Sequence, residues 1–69
     1  MAKRQDEVKC EIATDHMIYV WADPEVIEKV KGIEGVYEVG GKFMGHYAVF
    51  TDHRYLAVDV AKEIMALAQ

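Results

Sequence analysis

Residues 17–33 read MIYVWADPEVIEKVKGI, and they join a strand pattern directly to a helix pattern. The run from Met17 to Ala22 is rich in β-branched and aromatic residues, which favours a buried strand. Asp23 and Pro24 form a strong helix start, because aspartate accepts the free N–H groups of a first turn and proline at the first helical position loses no hydrogen bond. Apolar residues then follow at helical spacing, at Val26, Ile27, Val30 and Ile33.

The second half of the chain has the same strand-to-helix pattern. Val49-Phe50-Thr51-Asp52 resembles Val20-Trp21-Ala22-Asp23, so we predict a strand over residues 46–51 and a second helix capped by Asp52. This helix is expected to run to near Gln69. Its predicted inner stripe consists of Leu56, Val60, Ile64 and Leu67.

Two further strands complete the pattern. Residues 7–13 alternate between apolar and charged side chains, which is typical of a half-buried strand, and residues 14–16 favour a turn. Residues 36–39 form a short third strand. Gly40 and Gly41 favour a hairpin turn to the fourth strand, since glycine tolerates the positive φ of tight turns.

The predicted element order is ββαββα, which gives an α+β fold. The last five elements are those of the ferredoxin-like split βαβ arrangement without its final strand, and the leading strand fills that vacancy. Right-handed crossovers place both helices on one face of an antiparallel sheet of order 1-2-4-3. We therefore expect a permuted ferredoxin-like sandwich; the rival is two separate ββα units with another strand order. Residues 1–6 are expected to be a disordered tail, and residues 7–69 a single domain.

Composition restricts the class of protein. The 69 residues carry a net charge of −4, which disfavours a nucleic-acid partner because the phosphate backbone needs a clustered positive field. A lone Cys10 excludes an internal disulfide and suits a reducing compartment. The chain begins without an apolar signal core and has no apolar run long enough to span a membrane, so we expect a cytoplasmic protein.

The strands are apolar on both faces, which is unusual for a sheet with helices on one side. One set of side chains of the second strand is Ile18, Val20 and Ala22; the other is Met17, Tyr19 and Trp21. A solvated face should be polar, so the face without helices is expected to be covered as well. A second copy of the chain is the simplest cover and gives a two-fold dimer; another protein or a small apolar ligand is the alternative. The predicted interface residues are Met17, Tyr19, Trp21 and Tyr47.

From this pattern we predict a small protein-interaction or regulatory module without catalytic activity. A divalent-metal-binding module is the alternative, because Thr-Asp-His occurs twice, at residues 14–16 and 51–53. Antiparallel neighbouring strands bring the two triplets to one sheet edge, where two imidazoles and two carboxylates suit a transition metal. The candidate ligands are Asp15, His16, Asp52 and His53. The structural interpretation of the same residues is a turn, a helix cap and two surface histidines.

Other signals for chemistry are weaker. Cys10 alternates with Val8 and Ile12, which favours a small core residue over a nucleophile. The glycine-rich residues 40–45 precede a strand instead of a helix, so they do not form a phosphate loop. The aromatic residues of the strands suit base stacking on an RNA-binding sheet, but the acidic charge disfavours that function. No cofactor is expected apart from the possible metal.

Overall fold

The computed structural model describes residues 8–67. The expected tail at residues 1–6 lies outside the described residues. The last helix ends at Ala66, with Leu67 as its C-cap, which is earlier than the predicted end near Gln69. The elements in chain order are β1 (Lys9–Thr14), β2 (Met17–Trp21), α1 (Pro24–Val30), β3 (Val36–Val39), β4 (Tyr47–Thr51) and α2 (Ala57–Ala66). The strands pair antiparallel in the order β1-β2-β4-β3. The predicted α+β class, element order and sheet order are confirmed.

Both helices pack on one face of the sheet. In the ladder, Ile18 of β2 lies opposite Val49 of β4 and Ile12 of β1, so these side chains share a face. Ile18 and Val49 are fully buried beneath the helices. The buried apolar residues form one cluster that draws on the sheet and both helices: Val8, Ile18, Val20, Val26, Ile27, Val30, Val49, Ala57, Val60, Ala61 and Ile64.

Tyr47 belongs to this helix-covered face. It lies opposite Val20 in the β2–β4 ladder and packs against the core, beside Pro24 and Ile27 of α1. The placement of Tyr47 with Met17, Tyr19 and Trp21 on the uncovered face is therefore wrong. The physical reason is that residues two apart in a strand share a face, and Tyr47 is two residues from the buried Val49.

Helix α1 begins where the sequence predicts it, but with a different cap. Asp23 is the N-cap residue, and its side chain makes no capping hydrogen bond to the described helix. Its backbone carbonyl instead accepts hydrogen bonds from the N–H groups of Val26 (2.9 Å) and Ile27 (3.1 Å). Pro24 occupies the first helical position, as expected.

Helix α2 begins four residues later than predicted. Its N-cap is Leu56, and the predicted cap Asp52 lies in the preceding turn, where its carboxylate accepts a hydrogen bond from the backbone N–H of Arg54 (3.0 Å). Leu56 is consequently 48% exposed, so its assignment to the inner stripe is wrong. The N–H group of Ala57 donates to the carbonyl of Asp15, which fixes the start of α2 against the β1–β2 turn.

The loops α1–β3 and β4–α2 close one end of the sandwich. Gly35 adopts a φ of +100°, and the ring of Tyr55 lies directly over it. The Tyr55 hydroxyl donates to a carboxylate oxygen of Glu34 (2.7 Å), and the Asp52 N–H group donates to the Gly35 carbonyl (2.8 Å). The hydrogen bond to Glu34, with some burial, raises the pKa of Tyr55.

Candidate functional site

The sheet face that points away from the helices is the candidate site, and we call it the open face. Because both helices pack on the other side, no helix among residues 8–67 covers it. Its side chains follow from the strand registers, in which Trp21 lies opposite Lys9, Tyr19 opposite Glu11 and Ala48, and Phe50 opposite Met17 and Glu38. The open face therefore consists of Lys9, Glu11, Met17, Tyr19, Trp21, Glu38, Ala48 and Phe50, with His46 at its end.

Four rings come together on the open face, and we call them the aromatic cluster: Tyr19, Trp21, Phe43 and His46. The His46 ring centroid lies 4.6 Å from that of Tyr19 and 5.0 Å from that of Trp21, both in tilted geometry. Phe43 meets His46 edge-on at 6.2 Å. These separations are within the range of favourable aromatic pairs. The cluster thus presents a large, partly exposed apolar surface in a fixed arrangement.

The β3–β4 hairpin places two members of this cluster. Phe43 and His46 exchange backbone hydrogen bonds of 2.7 and 3.0 Å, and the two residues between them both adopt positive φ, +51° at Met44 and +88° at Gly45. Two central residues with positive φ are characteristic of a type I′ turn. The tight turn therefore lies at residues 44–45 and not at Gly40-Gly41, where the glycine pair predicted it.

The tip of the hairpin extends the apolar surface beyond the sheet. Phe43 is 66% exposed and Met44 is 80% exposed. Exposed apolar residues that adjoin an aromatic cluster form a contiguous patch, in contrast to singly scattered ones, and such patches mark interaction sites.

His46 is the member of the cluster to which sequence reasoning assigned no role. The available signal was the alternation of β4, in which His46, Ala48 and Phe50 occupy the same face of the strand. The strand prediction included this position, but the ring contacts of the histidine depend on which face carries the helices. That information comes only from the packed structure.

Charged residues lie at the two edges of the open face. Lys9 and Glu11 are on the edge strand β1, and Glu38 is on the opposite edge strand β3. The Lys9 ammonium lies 4.9 Å above the Trp21 ring, a cation–π contact. An apolar aromatic centre with a polar rim is the usual anatomy of a protein–protein interface.

The first Thr-Asp-His triplet is used for structure. The predicted proximity of the two triplets is real at the backbone, because the N–H group of Thr51 donates to the carbonyl of His16 (2.9 Å). The His16 ring, however, is already engaged: Nδ1 lies 3.0 Å from the Tyr55 carbonyl and 3.1 Å from Thr51 Oγ1. The Thr51 hydroxyl also donates to that carbonyl (2.9 Å), so the ring nitrogen that meets both oxygens is the protonated one. Nδ1 is therefore not free to bind a metal, and Nε2 is the ring nitrogen that a metal would use.

The second triplet faces the solvent. His53 is 86% exposed in its side chain, and its Nδ1 lies 3.3 Å from Asp52 Oδ1. The hydrogen bond from the Arg54 backbone, followed by that from the Arg54 side chain, lowers the pKa of Asp52. No three His, Cys, Asp or Glu side chains among residues 8–67 come together to hold a metal ion. The structure therefore gives no support to a ligand set of Asp15, His16, Asp52 and His53.

Cys10 lies on the helix-covered face, packed against the core. Its partial burial raises the pKa of the thiol, which disfavours the reactive thiolate. This environment is that of a small core residue.

Comparisons of the chain with protein-family models, with curated proteins and with solved structures find no match. The ferredoxin-like label accordingly stays a prediction that comes from the element order. Neither helix within residues 8–67 has the length and apolar character needed to cross a membrane.

Proposed function

We propose that this chain is a small protein-interaction or regulatory module without catalytic activity, and that it binds its partner through the open face. The observation that carries the proposal is the aromatic cluster, four interlocked rings on a sheet face that no described helix covers. A four-stranded sheet with an unoccupied second face normally carries polar residues there.

The residue types of the open face support a protein partner. Tyrosine and tryptophan are the commonest anchors of protein interfaces, because each buries a large rigid area at little cost in conformational entropy. Tyr19 and Trp21 lie at the centre of the face, and the charged residues lie at its edges. Burial of the centre excludes water from the apolar rings, while the rim stays hydrated.

A second copy of the chain is the simplest partner. In a two-fold contact the open face meets itself, so one apolar surface covers another without any further component. A different protein with a complementary apolar surface is the other form of the same proposal. A reducing, cytoplasmic setting fits the chain's lone Cys10.

Nucleic acid fits the open face less well. Base stacking on exposed rings is a recognised mode of RNA binding, and the aromatic cluster offers such rings. Phosphate recognition needs several cations, however, and the open face has Lys9 against Glu11 and Glu38. The divalent-metal alternative is weaker, because no three His, Cys, Asp or Glu side chains within residues 8–67 are placed to hold an ion.

The test is the particle mass of the full chain in solution, measured by light scattering across a dilution series. We expect a particle heavier than the 7.8 kDa chain, and a lower mass for Ala48→Lys. Ala48 lies opposite Tyr19 at the centre of the open face, so a lysine there reaches water in the free chain but places a charge in a covered interface.

The matched control is Leu56→Lys, which adds the same charge at a residue that is 48% exposed at the start of α2, on the helix side of the molecule. It should leave the particle mass unchanged. If the particle mass also falls for Leu56→Lys, the effect of Ala48→Lys comes from the added charge and not from its position on the open face. If the wild-type chain is a monomer at every concentration, the self-association form of the proposal is wrong.

A further inference from the structure

A second apolar surface lies at the other side of the molecule, between β1 and α2. A groove of about 700 Å³ runs between the helix-facing side chains of β1 and the outer side of α2. Three large apolar residues line it and are substantially exposed: Ile12 (46%), Val58 (48%) and Met65 (40%). The groove is distinct from the open face, because Ile12 points to the helix side of the sheet.

The outer edge of β1 adjoins this groove and is a template for another strand. β1 is an edge strand, and among residues 8–67 its pairing partner is β2 alone. Its ladder with β2 is regular from Lys9 to Ile12, before a register shift. The opposite edge strand, β3, has four residues and an irregular register, which are features that protect an edge from pairing. β1 is therefore the edge with the better geometry for strand addition.

We infer that β1 pairs antiparallel with β1 of a second copy, in a two-fold contact centred on Cys10. This register places Lys9 of each chain opposite Glu11 of the other, so both cross-strand pairs join opposite charges. A register centred on Glu11 sets two glutamates opposite each other, and one centred on Ile12 leaves Glu11 opposite Ala13. Charges on an edge strand usually prevent pairing, but this alternation of sign is complementary to itself.

The same contact fills the groove. Pairing at β1 extends the sheet across both chains and brings the two α2 helices together above the junction, where Ile12, Val58 and Met65 of one copy meet those of the other. Ala61 lies between Val58 and Met65 on this side of α2 and allows close approach of the helices. Lys62 also lines the groove, and its aliphatic stem covers apolar surface while its ammonium reaches water.

This contact leaves the open face unobstructed, so it does not depend on the proposed function and can be tested separately. The experiment uses the full chain with Ala48→Lys, in which the open-face contact is removed. We expect this variant still to be a dimer of twice the 7.8 kDa chain mass by light scattering. A monomeric Ala48→Lys chain of native circular dichroism would overturn the inference while leaving the open-face proposal intact.

Charge exchange tests the register. In the Ala48→Lys background, Lys9→Glu or Glu11→Lys turns both cross-strand pairs into like charges and should weaken the dimer roughly tenfold or more. The double variant Lys9→Glu/Glu11→Lys should restore it. An equimolar mixture of the two single variants should form a heterodimer, because each then supplies the charge that the other lacks. Equal dimer affinity for the Ala48→Lys parent, the two single charge variants and the double variant would exclude this register.

The groove has its own matched pair of variants. Val58 and Leu56 are both 48% exposed, two residues apart, and only Val58 lines the groove. In the same background, Val58→Lys should dissociate the dimer and Leu56→Lys should not. Because both side chains are already exposed, neither substitution buries a charge in the single chain. Equal effects of the two variants would contradict a groove-filled contact.

Discussion

Replacement of Gly35 by alanine is expected to destabilise the fold more than any other single methyl addition to a glycine. Gly35 adopts a φ of +100°, a conformation that L-residues rarely adopt. A Cβ atom at this position would lie 2.7 Å from Cγ and 2.8 Å from Cδ2 of the Tyr55 ring. Non-bonded carbon atoms do not approach each other so closely. The ring must therefore move, and its hydroxyl would leave Glu34.

The magnitude follows from these two effects. A non-glycine residue in a sparsely populated backbone region costs about 1–3 kcal/mol. Loss of one exposed hydrogen bond adds at most about 1 kcal/mol. The free energy of unfolding should therefore fall by about 1–4 kcal/mol, and the upper end of this range is a large part of the stability of a domain of this size. The melting temperature should fall by about 4–32 °C, since each kcal/mol corresponds to about 4–8 °C.

Thermal and urea unfolding followed by circular dichroism measure this effect. Gly41→Ala is the control, because no described atom lies within 4 Å of a Cβ added there and its φ is not in the left-handed region. Its stability should stay within about 0.5 kcal/mol of the wild type. If Gly35→Ala melts at the wild-type temperature, the Tyr55 ring does not pack on Gly35 of the α1–β3 loop.

Three further predictions follow from single side chains. Asp23→Ala should cost less than the ~1 kcal/mol of an ordinary N-cap loss, because the Asp23 side chain makes no cap bond to the described helix; urea unfolding that shows the full cost would contradict this geometry. The pKa of Asp52 in the folded chain lies below its ordinary value of 3.8, so the stability that its carboxylate contributes is complete above the unfolded-state pKa and is lost as the pH falls through the folded-state pKa. In Asp52→Asn, the free energy of unfolding should therefore fall less steeply with decreasing pH than in the wild type. The same pH dependence in both proteins would refute the Arg54 contact. The raised pKa of Cys10 predicts slower alkylation by iodoacetamide in the folded chain than in the unfolded chain at the same pH, and equal rates would show that the thiol is not shielded.

The sheet was predictable because its signals are local. Residues 17–33 and their counterpart in the second half contain strand alternation, a helix start and helical spacing in immediate succession, and short connections restrict the topology. The open face was harder to assign. Both faces of β2 are apolar, so alternation alone defines two candidate faces and does not say which one the helices cover.

The start of α2 illustrates what local signals omit. Asp52 has the same sequence context as Asp23, yet the chain continues through a turn before the helix begins at Ala57. The difference lies in contacts across the fold: the Thr51 hydroxyl and the His16 ring both meet the Tyr55 carbonyl, and these bonds fix the turn. His16 and Tyr55 are 39 positions apart in the sequence, so a local sequence pattern cannot predict this contact. The same contacts engage Nδ1 of His16, one of the residues in the predicted metal ligand set.

The coverage of the open face is measured most directly by acrylamide quenching of Trp21 fluorescence. Trp21 is the only tryptophan of the chain and lies within the aromatic cluster, so its emission reports on this surface alone. In the assembled wild-type protein Trp21 should be shielded from acrylamide, and it should become accessible on dilution or in Ala48→Lys. Equal quenching of Trp21 in the wild type and in Ala48→Lys at every concentration would show that no second copy covers the open face.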